Sequence, residues 1–244
     1  MNGNLKKALI LYGASFLSIP LRFAMSILNT SLLGPQLFGN FKFIETVARF
    51  ISDLTSVGIF TSLSRLLAIA GCPEKERKYV GFYVIILSII SVIGVIVFIV
   101  FSWIEPYYFD YNLGHIIRNC SFIVISISSM LSINLILKGL NRIYDIVILS
   151  LIPPIIYLGI VYAIKDYIDV DVSFVLTFYY LILLGIIIFL IFRLKPNFNI
   201  SKLLFKEVLN ENKTNGKPIY LGSLAGVATT HIAGLSISYY INNT

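Results

Sequence analysis

Long apolar runs, separated by short polar connections, make up almost the whole chain. The seven runs cover approximately residues 8–33, 40–62, 79–103, 116–137, 144–164, 172–193 and 219–241. Each is close to the roughly 20 residues that a helix needs to cross about 30 Å of hydrocarbon. Strands of a membrane barrel would instead alternate apolar and polar positions over about 10 residues. The pattern therefore predicts an all-α integral membrane protein, a polytopic bundle of seven helices.

The longest connection, residues 194–217, divides the chain into unequal parts. Within it, apolar positions recur at helical spacing opposite charged positions, which predicts a short helix lying in the membrane interface. The apolar positions are Ile200, Leu203, Leu204, Val208 and Leu209, and the charged ones are Lys202, Lys206 and Glu207. We expect residues 1–193 to form a six-helix lobe and residues 218–244 to hold the first helix of a truncated second lobe. Because the chain ends as that helix finishes, we expect it to be the N-terminal part of a longer protein.

Lysine and arginine fall mostly on one side of the predicted spans. If the N-terminus is cytoplasmic, the inside connections hold fourteen of the 19 basic residues, and the outside connections hold Lys42, Arg118 and Lys165. Arg22 and Arg49 remain within spans. An excess of Lys and Arg in short cytoplasmic connections sets the orientation of multi-pass proteins. The bias predicts a cytoplasmic N-terminus and a location in the cell (cytoplasmic) membrane.

Composition agrees with this class of protein. The chain is 57% hydrophobic and 13% charged, with a mean hydropathy of +0.88, whereas a soluble domain has roughly 25% charged residues. The net charge of +7 does not indicate a nucleic-acid partner, because the basic residues occupy connections between spans rather than one phosphate-binding surface. Cys72 and Cys120 fall on opposite predicted faces of the membrane, so we do not expect them to form a disulfide.

Polar residues follow one face of each of the first two spans. The residues on these faces are Ser15, Ser18, Arg22, Ser26 and Asn29 in the first span, and Glu45, Arg49, Ser52 or Asp53, and Ser56 in the second. A guanidinium in hydrocarbon costs at least about 2.5 kcal/mol, so both faces should point to a polar interior. Arg22 and Arg49 lie at similar depths, which predicts that the two guanidiniums meet in one cavity.

Asp53 follows Arg49 by one helical turn, and we expect it to be the intrahelical partner of that arginine. Arg22 has no obvious acidic partner in the complete spans. It would therefore suit an anionic ligand, because a guanidinium offers forked, permanently charged donors matched to phosphate or carboxylate. The predicted anion-binding residues are Arg22 and Arg49, and the predicted supporting residues are Asp53, Ser18, Ser26, Asn29 and Ser56.

Two alternatives without a ligand stay open for these charges. Arg49 and Asp53 would also serve as a buried pair that fixes helix packing. Arg22 could donate to backbone carbonyls freed by Pro20, which breaks the helical ladder two residues earlier, or to water in the cavity.

The sequence has no Walker-type glycine loop and no His, Glu or Cys cluster with metal-ligand spacing. We therefore expect no enzymatic activity, no catalytic residue, no cofactor and no metal.

Two segments resemble a known family. Residues 33–41, LGPQLFGNF, resemble the turn typical of polysaccharide-export flippases of the O-antigen and teichoic-acid type, and residues 218–225, PIYLGSLA, are similar to the start of their second lobe. With the six-span block and the basic cytoplasmic connection, the resemblance covers the whole chain. These flippases share a superfamily with multidrug and toxin extrusion antiporters and lipid II flippases.

The resemblance implies two six-helix lobes around a central cavity and alternating access. It implies movement of a lipid-linked oligosaccharide diphosphate to the outer leaflet for polysaccharide or lipopolysaccharide biosynthesis. The implied partners are that lipid-linked oligosaccharide, membrane lipids, and a polysaccharide polymerase or glycosyltransferases. The chain departs from the family by ending after the seventh span and by having no acid among residues 229–234. The alternative functions are a multidrug-type antiporter of the same superfamily and a truncated membrane remnant that does not transport.

Overall fold

The computed structural model describes residues 3–56, 58–108 and 112–242. The outermost residues of the predicted domains, 1–2 and 243–244, lie outside these ranges. Within them the secondary structure is helical. The helices are α1 (Gly3–Thr55), α2 (Ile59–Ala68), α3 (Pro73–Tyr108), α4 (Gly114–Asn119), α5 (Ile123–Gly139), α6 (Ile143–Ile164), α7 (Val172–Leu194), α8 (Lys202–Glu211) and α9 (Lys217–Asn242), with a π-helical turn (Asn212–Gly216) before α9.

Four of the described helices, α1, α3, α6 and α7, are long and apolar enough to cross a membrane. Helices α2 and α5 are apolar but shorter. This composition indicates a multi-pass membrane protein, as the hydrophobic pattern predicts. Helix α9 is not among the four, so a seventh span at this position stays a prediction.

Helix α1 is bent once, at Gly34, into a first arm (residues 3–33) and a second arm (residues 35–55). Gly34 has φ 74° and ψ 166°, a backbone conformation essentially restricted to glycine. Pro35 opens the second arm, where its missing N–H leaves no helical hydrogen bond unmade. The connection predicted between the first two spans, residues 34–39, is therefore too long, because only Gly34 in α1 departs from helical geometry.

Two predicted spans are interrupted rather than continuous. The span predicted at residues 40–62 ends at Thr55, and α2 begins at Ile59. Gly58, with φ 72°, lies in this break, and its backbone packs so closely against Gly216 that any side chain there would collide with the Gly216 carbonyl. The span predicted at residues 116–137 is also divided, between α4 and α5.

The connection between the predicted lobes packs against the ends of α2 and α3. Helix α8 buries Leu204 and Val208. The acidic residues of α8 form ion pairs with basic residues of α3 and α2. These pairs are Lys75–Glu207 at 2.9 Å and Arg65–Glu211 at 3.4 Å. On the opposite face Leu203 is 78% exposed and Leu209 is also exposed. A short amphipathic helix is thus present where the sequence predicts one, and its contact with lipid stays a prediction.

Helix α5 is the central helix of the bundle. It packs against α1, α2, α3, α6 and α7. Its serine-rich face is buried, and Ser126 donates a hydrogen bond of 3.1 Å to the Tyr180 carbonyl of α7. The side of α5 that faces the second arm of α1 helps to form the cavities described below.

Replacing Asp169 with cysteine tests the predicted orientation. Asp169 is exposed in the connection between α6 and α7, which the Lys and Arg distribution places outside. In a Cys72→Ser background, this cysteine should react with a membrane-impermeant maleimide in intact cells. The native Cys72 is exposed on the opposite predicted face and supplies the matched control, which should react only after permeabilisation, while Cys120 is buried. The reverse labelling pattern would contradict a cytoplasmic N-terminus.

Candidate functional site

A polar cavity of about 150 Å³ lies between the two arms of α1 and is also lined by one residue each of α5 and α7. We call it the arginine cavity. Its lining residues are Arg22, Met25, Ser26 and Asn29 from the first arm, Phe38, Phe41, Lys42, Glu45 and Arg49 from the second arm, Met130 from α5 and Tyr179 from α7. The bend at Gly34 lets the two arms face one space. Arg22 and Arg49, predicted to meet in one cavity, both line it.

Glu45 is the centre of the charge network in this cavity. Its Oε1 accepts hydrogen bonds from Arg49 Nη2 at 2.9 Å and from the Tyr180 hydroxyl at 2.8 Å, and its Oε2 accepts one from Lys42 Nζ at 2.9 Å. The Glu45 side chain is only 13% exposed, and that of Arg49 is 32% exposed. A carboxylate that holds two cations and a phenol fixes the position of all three groups.

The predicted pairing of Arg49 with Asp53 is wrong, because Arg49 pairs with Glu45 on the preceding turn. Both acids lie four residues from Arg49 along the helix. An acid placed N-terminal to its basic partner is the better orientation for such a pair, since it also complements the helix dipole. Lys42, predicted on the outside, also lines the cavity, and its side of the membrane stays a prediction.

Arg22 has no hydrogen-bond or ion-pair partner among the described residues. The bonds to carbonyls near Pro20 that the sequence left open are not formed in this part of the chain. The cavity lining therefore contains three basic residues, Arg22, Lys42 and Arg49, against one acid, Glu45. Two positive charges are uncompensated, and Arg22 is the one whose donors are unoccupied.

The remaining polar residues predicted on the first arm have different surroundings. Asn29 lines the cavity and is buried, and its Oδ1 accepts a hydrogen bond of 2.7 Å from the Tyr157 hydroxyl of α6. The assigned amide orientation leaves the Asn29 nitrogen as a further donor. Ser26 also lines the cavity. Ser18 does not; it is buried and donates to the Ser15 carbonyl at 2.7 Å.

Asp53 and Ser56 line a second cavity, of about 260 Å³, rather than the arginine cavity. We call it the serine cavity, because Ser52, Ser128 and Ser132 also line it. It lies between the second arm of α1 and helices α2, α3 and α5. Four of the five predicted supporting residues are thus divided between two separate spaces, and Ser18 lines neither of them.

Asp53 joins the second arm of α1 to α9. Its Oδ2 lies 3.0 Å from His231 Nε2, and the His231 ring packs 5.8 Å from the ring of Phe50. Nearby, the Tyr220 hydroxyl donates a 2.6 Å hydrogen bond to the Leu54 carbonyl. These contacts attach α9 to the second arm of α1.

Sequence reasoning missed the tyrosines and the role of Glu45. The relative order of Glu45 and Arg49 was a usable signal for their pairing. No local pattern marks Tyr157, Tyr179 or Tyr180, because a tyrosine within a span is equally compatible with ordinary packing. Their roles depend on contacts across more than 100 positions of sequence.

The described residues contain no group of three or more His, Cys, Asp or Glu side chains that could hold a metal ion. Comparison with known proteins finds no matching family model, no matching curated protein and no matching solved structure. The arginine cavity presents mainly hydrogen-bond donors with positive charge, the groups that an anion would need. It offers guanidinium, ammonium and amide donors around one space and a single carboxylate that is already engaged.

Proposed function

We propose that this chain is part of a flippase that exports a lipid-linked oligosaccharide diphosphate across the cytoplasmic membrane by alternating access. The observation that carries the proposal is the uncompensated positive charge of the arginine cavity, centred on Arg22. An unpaired guanidinium between membrane-spanning arms is costly to keep, which makes it a functional residue by default. A diphosphate supplies the negative charge that it lacks.

The two arms of α1 have different roles in binding the diphosphate. Glu45 holds Arg49 and Lys42 in fixed positions, so the second arm presents preorganised donors. Arg22 on the first arm remains free to close on the ligand. Forked guanidinium donors match phosphate oxygens, while the lipid tail of the cargo stays in the bilayer.

Transport limits how tightly this cavity binds its cargo. A ligand that bound one access state much more strongly than the other would hold the protein in that state. The partial neutralisation of Arg49 and Lys42 by Glu45 moderates the positive potential. We expect the diphosphate affinity to differ little between the inward-open and outward-open states.

A multidrug-type antiporter that moves cations remains the alternative function, and one observation favours it. Asp53, with the hydroxyls of the serine cavity, forms an acidic polar space next to α9. The arginine cavity argues against a cationic cargo, because two positive charges there are uncompensated. A truncated remnant that does not transport would bind no cargo in either cavity.

Binding of a polyisoprenyl diphosphate to the purified protein tests the proposal. The diphosphate should bind more tightly than the polyisoprenyl alcohol of the same chain length. Arg22→Gln should weaken diphosphate binding about tenfold, the loss expected for one charge-assisted contact, and should leave alcohol binding unchanged. Microscale thermophoresis in detergent measures both affinities.

Arg118→Gln is the matched control, because Arg118 is an exposed arginine in α4, outside the arginine cavity. It should bind the diphosphate as the unsubstituted chain does. Equal affinity for the alcohol and the diphosphate, or an unchanged diphosphate affinity in Arg22→Gln, would remove the basis for a flippase. Preferential binding of a cationic amphiphile would favour the antiporter instead.

A further inference from the structure

A groove of about 640 Å³ runs between the first arm of α1 and α6, and it is separate from the arginine cavity. Ile27 lines it from α1, and Leu158 and Gly159 line it from α6. Tyr162 and Lys165 lie at its end near the connection to α7. None of its lining residues is shared with the arginine cavity. The two spaces therefore lie on different faces of the first arm.

Small residues create this groove. Gly159 has no side chain, and a Cβ atom added there would meet nothing within 4 Å. Ala24 and Ser31 on the facing arm are also small. The surface is open, since Ile27 is 55% exposed. Within a bilayer such a space is filled by a lipid chain, because an unfilled space would lose the dispersion contacts of its lining atoms.

Lys165 determines which lipid the groove favours. It is the only charged residue among the groove-lining residues described, and no ion-pair partner is present for it in the described ranges. Its ammonium lies 4.7 Å from the centre of the Tyr162 ring. In the predicted orientation it lies at the outer headgroup level, where a lysine directs its charge to the interface. A lipid with net negative charge fits this end of the groove.

We propose that the groove binds one anionic glycerophospholipid of the outer leaflet. Its acyl chain would lie against Ile27 and Gly159, with its headgroup phosphate at Lys165. This site depends on the placement of the chain in the membrane and not on the identity of the exported cargo. A lipid here would support the packing of α6 against the first arm, which carries Arg22 on another face.

A tryptophan placed in the groove tests the proposal directly. The chain has a single tryptophan, Trp103, so Trp103→Phe supplies a background without fluorescence from this residue type. Ile27→Trp then reports lipid in the groove, and Leu181→Trp, at an exposed position on α7, reports lipid elsewhere on the surface. Each protein is reconstituted in mixtures of phosphatidylcholine and phosphatidylglycerol, with one of the two brominated as a quencher.

At Ile27→Trp we expect phosphatidylglycerol to be preferred over phosphatidylcholine about fivefold, the effect of one lysine near the surface. Leu181→Trp should show no preference. Adding Lys165→Gln should remove the preference at Ile27→Trp, and adding Gly159→Leu should reduce quenching by both lipids. Equal preference at the two reporter positions, or a preference that survives Lys165→Gln, would overturn the proposal. Quenching unchanged by Gly159→Leu would show that the groove holds no lipid.

Discussion

Replacing Arg22 with alanine should abolish export of the lipid-linked glycan while the amount of folded protein in the membrane stays unchanged. Arg22 has no hydrogen-bond or ion-pair partner among the described residues, so its removal breaks no ion pair. It instead removes an unpaired charge from the lining of the arginine cavity. Surface glycan, measured by labelling whole cells, should fall to background, and the level of the protein in membranes should match that of the unsubstituted chain.

Two further variants make this experiment specific. Arg22→Lys keeps the charge and loses the forked donors, so it should restore only part of the export. Arg118→Ala removes an exposed arginine outside the arginine cavity and should export normally. Normal surface glycan in Arg22→Ala cells would exclude Arg22 as a ligand for the diphosphate. A loss of both glycan and membrane protein would show that Arg22 is required for folding instead.

Replacing Glu45 with glutamine should destabilise the folded protein by about 2 kcal/mol, less than the cost of breaking a fully buried ion pair, because the side chains of Arg49 and Lys42 are 32% and 50% exposed. The substitution leaves Arg49 and Lys42 without their shared carboxylate and weakens the contact with the Tyr180 hydroxyl. A loss of this size corresponds to a fall in melting temperature of about 4–8 °C for a chain of this length. Thermal unfolding in detergent measures the change.

Arg49→Gln should be milder than Glu45→Gln, because Glu45 then keeps Lys42 and Tyr180 as partners. The double variant Glu45→Gln/Arg49→Gln should recover part of the stability that Glu45→Gln loses, since it removes the Arg49 charge that Glu45→Gln leaves unpaired. Glu74→Gln is the surface control, because the Glu74 side chain is 76% exposed in its ion pair with Lys78 and such pairs contribute little. Equal melting temperatures for Glu45→Gln and Glu74→Gln would contradict a central role for Glu45.

The hydrophobic pattern was sufficient to predict the helical membrane class, because the length and polarity of a span follow from local composition. The breaks within the spans were harder to predict. Gly34 and Gly58 both have positive φ, but only one of them lies at a predicted turn. Gly58 lies just before α2, where the chain packs against Gly216, a contact between distant residues. Helical periodicity alone does not contain that information.

The candidate site was likewise predictable only where it depends on local sequence. The stripe on the first arm correctly groups Arg22, Ser26 and Asn29, because helical spacing places them on one face. Spacing alone could not choose between Glu45 and Asp53 as the partner of Arg49. The choice depends on their order along the helix and on His231, which lies 178 positions from Asp53 and is its actual partner.

The spacing of Glu45 and Arg49 on one arm also bears on how the chain enters the membrane during synthesis. An ion pair between successive turns of one helix needs no other part of the fold. It is therefore available as soon as the second arm becomes helical, before α5 and α7 have been made. Arg22, by contrast, enters without a neutralising neighbour on its own arm. The later of the two arms thus carries its guanidinium already paired, while the guanidinium of the earlier arm has no acid beside it.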